Sequence, residues 1–293
     1  TMGLGENILR ANGFTTGGIT TPVSVAAQGH YAYVVSYSTE QLSIYDITDH
    51  NNPVTKGSII TNLDGPIDIK VQGNYAFVVS ELNNRICIFN ISNPLSPTAI
   101  GFLTTGLNRP YAITIQGNIA YVSNNFIPRV QLFDITNPLA VVARGFFPAS
   151  LPSDVVVQGN FAYVAIPSPV KFSIFEISNP DLPIARGTIS SGLNNTGGVY
   201  VKDGFAYVAS INSSVIRVFN VSNPDLITGV GISTTEINAP YRLAGTGNFL
   251  LVTDLSGAGI GVFDISNPAA LQWKGYNSTN LNGAGIMATV GET

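Results

Sequence analysis

Charge is scarce in this chain. Of its 293 residues, 13 are Lys or Arg and 17 are Asp or Glu, giving a net charge of −4 and a charged fraction of 10%. Ordinary soluble domains carry about 25%. No Lys/Arg run is present, so the electrostatic footprint of a duplex nucleic-acid binder is missing, as is a polybasic membrane patch. A single cysteine, Cys87, excludes a disulfide within the chain; lying between Ile86 and Ile88, it reads as a core thiol. The two histidines, His30 and His50, both fall in turn-like sequence. They give no His/Cys/carboxylate cluster with metal spacing and no partner for a Ser–His–acid triad. No apolar stretch is long enough to span a bilayer, and no stretch carries helical periodicity. The opening Thr1-Met2-Gly3 shows no signal peptide. Gly257-Ala258-Gly259-Ile260-Gly261 precedes a strand-like run rather than a helix, so it is not a phosphate loop.

What is present is repetition. Tyr45-Asp46-Ile47-Thr48 returns as Phe89-Asn90-Ile91-Ser92, Phe133-Asp134-Ile135-Thr136, Phe175-Glu176-Ile177-Ser178, Phe219-Asn220-Val221-Ser222 and Phe263-Asp264-Ile265-Ser266, at spacings of 44, 44, 42, 44 and 44 residues. A second marker keeps the same beat: Gly29-His30, Gly73-Asn74, Gly117-Asn118, Gly159-Asn160, Asp203-Gly204 and Gly247-Asn248. Each separates two strand-like runs, and Gly, Asn and Asp are the residues that tolerate the positive φ of a tight hairpin. A third marker is the glycine at 57, 101, 145, 187, 231 and 275, set inside another apolar run, where glycine signals a bulge or a close backbone approach. Ser92-Asn93-Pro94 and its counterparts mark a further turn. Each period is therefore four short strands. The second strands, such as Tyr31-Ala32-Tyr33-Val34-Val35, are almost wholly apolar, as strands covered on both faces are. Four strands in 40–45 residues, repeated, specify a propeller blade.

The Val/Ile-x-Val-x-Gly-Asn-Tyr-Ala-Tyr-Val segment, followed by Ile-x-Ile-Phe-Asp-Ile-Ser-Asn-Pro, resembles the LVIVD-repeat family of β-propellers over about residues 21–279, in all six units. The resemblance implies the fold and a bacterial or archaeal surface or secreted setting. It brings no catalytic residues.

The expected fold is all-β: a single six-bladed β-propeller with four antiparallel strands per blade. The repeats run at about 21–64, 65–108, 109–150, 151–194, 195–238 and 239–282. Residues 1–20 are read as a closure segment, because Gly13-Phe14-Thr15-Thr16-Gly17 resembles a fourth strand one period before Gly57. This strand is expected to help close the ring at blade 6, with residues 283–293 a tail. Trp273 stands where the other units carry small residues, and covering the closure seam is the favoured reading over an exposed contact.

The Gly-Asn and Ser-Asn-Pro turns share one face and recur almost unchanged. The remaining loops share the other face and differ in every unit, which makes that face the candidate binding face. Its candidate interaction residues are Tyr37, Glu81, Asn124, Asn125, Phe126, Arg129 and Asn194. Around the channel, one first-strand position reads Ser24, Asp68, Ala112, Asp154, Gly198 and Arg242, preceded by Tyr111 and Tyr241 in two units. Asp68, Asp154, Arg242, Arg109, Tyr111 and Tyr241 are the candidate ligand-binding set. They would form a seat for a ligand or cation at the channel mouth, or an Asp–Arg pair that satisfies itself. The expected function is a non-enzymatic binding module, extracellular or surface-displayed, with a protein or glycan partner and no cofactor. The alternative is a calcium-dependent hydrolase or lactonase acting at the channel mouth, an architecture-level analogy.

Overall fold

The computed structural model describes residues 20–233 and 237–278. Six four-stranded antiparallel sheets, each made of strands consecutive in sequence, stand around a central channel as the blades of a β-propeller. Blade 1 runs through Pro22–Gln28, Tyr31–Ser36, Gln41–Asp46 and Val54–Ile59. Blade 6 runs through Pro240–Thr246, Phe249–Asp254, Gly259–Asp264 and Gln272–Asn277. Among the described residues the helical content is one 3₁₀ turn, Ile211–Ser213, and no helix is long and apolar enough to cross a membrane.

Each letter of the repeated motif has a physical task. Its aromatic residue is buried in every blade, and Phe89, Phe133, Phe175, Phe219 and Phe263 pack into the inter-blade cores. Burying one such ring stabilises the fold by about 1.5–3 kcal/mol. The acid or amide that follows accepts a bond from the backbone two residues on, as Asn90 Oδ1 does from Ser92 N–H (2.9 Å) and Asp134 Oδ1 from Thr136 N–H (3.0 Å), closing a short side-chain turn. The next apolar residue is buried in blades 2 to 6 and half-buried in blade 1, and its N–H reaches the hairpin below: Ile91 donates to the Asn74 carbonyl at 2.9 Å. Asn93 Oδ1 then accepts from Leu95 N–H at 3.1 Å and shapes the Ser-Asn-Pro turn.

The glycine inside the fourth strand serves the next blade. It lies at a register shift, as between Ile88 and Phe89 opposite Gly101 and Ala99. At Gly57, Gly145, Gly187 and Gly231 a Cβ would come within 2.3–2.6 Å of carbonyl oxygens in the next blade's Pro-containing turn. Gly145 and Gly187 also donate their N–H to Pro180 and Pro224 carbonyls, at 2.9 and 2.7 Å. On the same face the glutamine ending the first strand reaches across a boundary: Gln28, Gln72 and Gln116 donate to the carbonyls of Gly73, Gly117 and Gly159.

Five apolar clusters fill the five boundaries between consecutive blades, and none joins blade 6 to blade 1 among the described residues. The expected closure segment, residues 1–20, falls outside the described residues apart from Thr20, and so does the tail. The outer strand paired in blade 6 is its own Gln272–Asn277. Trp273 is not at the seam. It pairs opposite Phe263, shares that ring's face and packs edge-on against it at 5.1 Å in the core between blades 5 and 6. Its space comes from Gly261, where a Cβ would lie 2.8 Å from the indole. Cys87 is fully buried, donates to the Asn62 carbonyl at 3.0 Å, and has its thiol pushed up to about 12 by burial.

Candidate functional site

Two openings meet at the channel mouth. A chamber of about 470 Å³ lies in the channel and a groove of about 370 Å³ lies on the variable-loop face. Tyr111 lines both. The structure brings all six candidate ligand-binding residues to these two spaces: Asp68, Asp154, Tyr111, Tyr241 and Arg242 line the chamber, and Arg109 and Tyr111 line the groove.

The chamber's carboxylates are engaged in holding blades together. Asp68, on blade 2, accepts from Ser24 Oγ of blade 1 (2.7 Å), from its neighbour Ile69 N–H (2.9 Å), and from Ile113 N–H of blade 3 (2.8 Å). Asp154, on blade 4, accepts from Val155 N–H (3.0 Å) and from Val199 N–H of blade 5 (2.9 Å). Arg242 of blade 6 lies 3.5 Å from Asp154 Oδ1 and donates to the Ser153 carbonyl at 2.8 Å, so the Asp–Arg pair is formed. Burial opposes the Arg242 charge, but Asp154 and then Tyr241 outweigh it and hold the guanidinium above its ordinary value. Glycine makes this approach possible: a Cβ on Gly198 would meet the Tyr241 carbonyl at 2.8 Å. Among the described residues no group of three or more His, Cys, Asp or Glu could hold a metal ion. The backbone bonds to Asp68 and Asp154 leave these carboxylates poorly suited to calcium, which takes 6–8 oxygen ligands.

Above the chamber, Tyr111 of blade 3 and Tyr241 of blade 6 bridge the channel through a hydroxyl–hydroxyl hydrogen bond of 2.9 Å. Burial, reinforced by Tyr241, pushes the Tyr111 phenol up and keeps it protonated. Together with the Arg242–Ser153 bond, this fastens blade 6 to the opposite wall.

The groove is built from loops of blades 2, 3 and 4, and includes Glu81, Arg109, Asn125 and Phe126. Arg109 Nε sits 3.0 Å from Glu81 Oε1, and its guanidinium lies over the Phe126 ring, 5.4 Å from the centroid. Its backbone is pinned: Asn84 Oδ1 accepts from Arg109 N–H at 2.7 Å, and the Arg109 carbonyl accepts from Asn125 N–H at 3.0 Å. Arg109 holds φ 48°, at the position where blade 2 has Gly65 (φ 60°). Leu151, the equivalent in blade 4, also lines the groove and holds φ 48°. The left-handed region costs a non-glycine residue about 1–2 kcal/mol. Thr21 and Asn195, the equivalents in blades 1 and 5, hold φ 51° and 56°, so the conformation belongs to the repeat.

The other candidates disperse. Asn124 is fully buried and is not a surface contact; its Oδ1 accepts from Asn108 N–H at 2.9 Å, tying two loops together. Ser80, Ser210 and Asp254 do the same for Asp64, Asn194 and Asn238 in their blades. A polar residue recurring at the end of the second strand was the available signal for that role. Arg129 lies over Phe146 at 4.8 Å, Asn194 is exposed on blade 5, and Tyr37 packs by Gly65, all outside the groove lining. Sequence reasoning missed Leu151, Pro152 and Ser153 as groove residues. His30 and His50 are exposed on the turn face.

The sequence profile described as the LVIVD repeat matches residues 18–61, 67–105, 152–190, 195–235 and 242–279; blade 3, between the second and third matches, is a complete blade in the structure. No curated protein matches the sequence. Among solved structures, a functionally unknown protein from Desulfotomaculum acetoxidans DSM 771 is 18% identical, covers 91% of this chain and 88% of its own, and superposes with a TM-score of 0.74. The periplasmic gluconolactonase of Pseudomonas aeruginosa is 14% identical, with 88% and 85% covered and a TM-score of 0.72. A protein from Lactobacillus plantarum is 10% identical, with 87% and 84% covered and a TM-score of 0.77. At these identities the likeness is one of fold.

Proposed function

The chain belongs to the LVIVD repeat family, and we propose that it works without catalysis, as a binding module that presents its variable-loop face to a protein or glycan outside the cell. The observation that carries this reading is the groove. Glu81, Arg109, Tyr111, Asn125 and Phe126 meet there, while the chamber's Asp68 and Asp154 are committed to backbone amides of adjacent blades. Phe126, 65% exposed, sets an apolar ring beside these polar groups. A charged fraction of 10% supports the extracellular placement. The test is a binding screen of the immobilised protein against arrays of glycans and of extracellular protein domains, repeated with Phe126→Ala and Arg109→Ala. Binding that both substitutions weaken supports the reading; no binding, together with measured turnover of a substrate, overturns it.

A second reading is a hydrolase acting on lactones at the channel mouth. It is favoured by the fold shared with the Pseudomonas aeruginosa gluconolactonase and by the carboxylate-lined chamber. Its test is lactone hydrolysis with and without calcium, in the native protein and in Asp154→Asn; no turnover in either condition removes it.

A further inference from the structure

We propose that the groove binds a neutral sugar residue, seated against Phe126 with its hydroxyls directed to Glu81, Arg109, Asn125 and the Tyr111–Tyr241 bridge. This rests on the binding-module reading and names the ligand class of that site.

A sugar ring is amphipathic: its C–H faces are apolar and its rim is crowded with hydroxyls that both donate and accept. A site for it needs an open aromatic face beside several fixed polar groups of both kinds. Phe126 supplies the ring: it is 65% exposed at the edge of the groove even with the Arg109 guanidinium 5.4 Å from its centroid on one side. Its placement is rigid, because Phe126 N–H donates to the Asn108 carbonyl and Asn125 N–H to that of Arg109. Binding to a surface already ordered avoids much of the entropy cost of immobilising a loop.

The polar groups are complementary in kind. Glu81 accepts, Arg109 donates from a planar fork, and the Asn125 side chain can do either. At the inner end, the two phenols share one hydrogen bond. Two hydroxyls carry two donors and four lone pairs, so one O–H and three lone pairs are left for a ligand. A groove of about 370 Å³ is at the small end of ligand pockets, suited to a single ring.

Charge selects a neutral ligand. Glu81 and Arg109 are 3.0 Å apart and offset each other, so no net field favours an acidic or basic group. A peptide fits the site less well. An extended peptide usually gains affinity by adding to a free strand edge, and this groove is walled by loops, while the outermost strands lie at the far side of each blade.

The test uses the whole protein and two ligand sets: neutral gluco-, galacto- and manno-configured mono- and oligosaccharides, and a random peptide display library. Saturation-transfer NMR and calorimetry read the sugars, and selection reads the peptides. The expected result is binding of at least one neutral sugar. It should be weakened at least tenfold by Phe126→Ala, whose exposed ring leaves the thermal midpoint unchanged, and several-fold by Tyr111→Phe, whose midpoint should fall modestly because the bond to Tyr241 is lost. Enrichment of peptides whose binding depends on Phe126, with no sugar bound, overturns the sugar assignment and leaves the binding-module reading standing. Sugar binding unaffected by either substitution overturns the site. No binding of either class overturns the sugar assignment, and the array screen then decides the binding-module reading.

Discussion

Replacing Asp68 by Ala tests whether the chamber's carboxylates hold the ring together. The side chain, 16% exposed, bonds to groups on three blades: the Ser24 hydroxyl, its own neighbour's Ile69 N–H and the Ile113 N–H. Ser24, Ile69 and Ile113 are 3%, 0% and 3% exposed, so water does not readily replace the lost acceptor. Leaving a buried donor unpaired costs about 1–3 kcal/mol. The Ser24 hydroxyl can rotate to another acceptor, whereas the two amides cannot, so the expected loss is about 3–4 kcal/mol. At roughly 2–4 °C per kcal/mol for a domain of this size, the thermal midpoint should fall by about 6–16 °C. Asp68→Asn retains one acceptor oxygen and should lose about half as much. Lys70→Ala removes only a partner 3.9 Å away whose side chain is 40% exposed, and should shift stability by less than about 0.5 kcal/mol. Calorimetry or urea titration of the three variants gives the comparison. A loss below about 1 kcal/mol for Asp68→Ala, or an Asn variant as stable as the native protein, refutes the bracing role.

Two further outcomes follow from the same geometry. Gly187→Ala places a Cβ 2.5 Å from the Pro224 carbonyl and should cost about 1–3 kcal/mol, whereas Gly101→Ala meets nothing within 4 Å and should be near neutral; equal effects in urea unfolding would contradict the inter-blade contact. In acid, Asp46 is held down to about 2 from 3.8, first by the Thr48 side chain and backbone and then by Lys56. Asp134 and Asp264 are lowered chiefly by Thr136 and Ser266, and Asp181 by Arg144. A depressed folded-state value stabilises above the unfolded value and is lost as pH falls through the folded one. The thermal midpoint should therefore decline mainly between about pH 4 and pH 2; a decline complete by pH 5 would assign acid sensitivity elsewhere.

The strands and turns were legible because each is set by neighbours in sequence. The Gly-Asn pairs do form the hairpins, with Gly73 at φ 57° and, in blade 5, both Asp203 and Gly204 positive. The fourth-strand glycine was legible as a bulge or a close approach; that it meets the next blade's Pro carbonyl is a long-range fact the local sequence does not carry. Asp68 and Asp154 were recognisable as channel residues, yet their main partners, Ile113 and Val199, stand 45 residues on and are backbone amides. No residue-type pattern announces an amide donor of that sort. Trp273 was misplaced by treating its size alone. Its partner in space is Gly261, on the adjacent strand, and reading the two together identifies the exchange of bulk. The groove was half legible: Arg109, Glu81, Asn125 and Phe126 come from loops flagged as variable, while Leu151 and Pro152 join through a backbone conformation that sequence does not display.

The contact between a fourth-strand glycine and the following Pro turn bears on how such a chain can change length over generations. Each of these boundaries is encoded half in one copy and half in the next, with the glycine always upstream and the turn always downstream. Duplication or deletion of a whole 44-residue unit therefore rejoins a donor half to an acceptor half, and the new junction is furnished at once. A cut made elsewhere in the unit would orphan one of the two. A change of whole blades leaves this contact intact, so the curvature at which a ring can close is the constraint that it does not relieve.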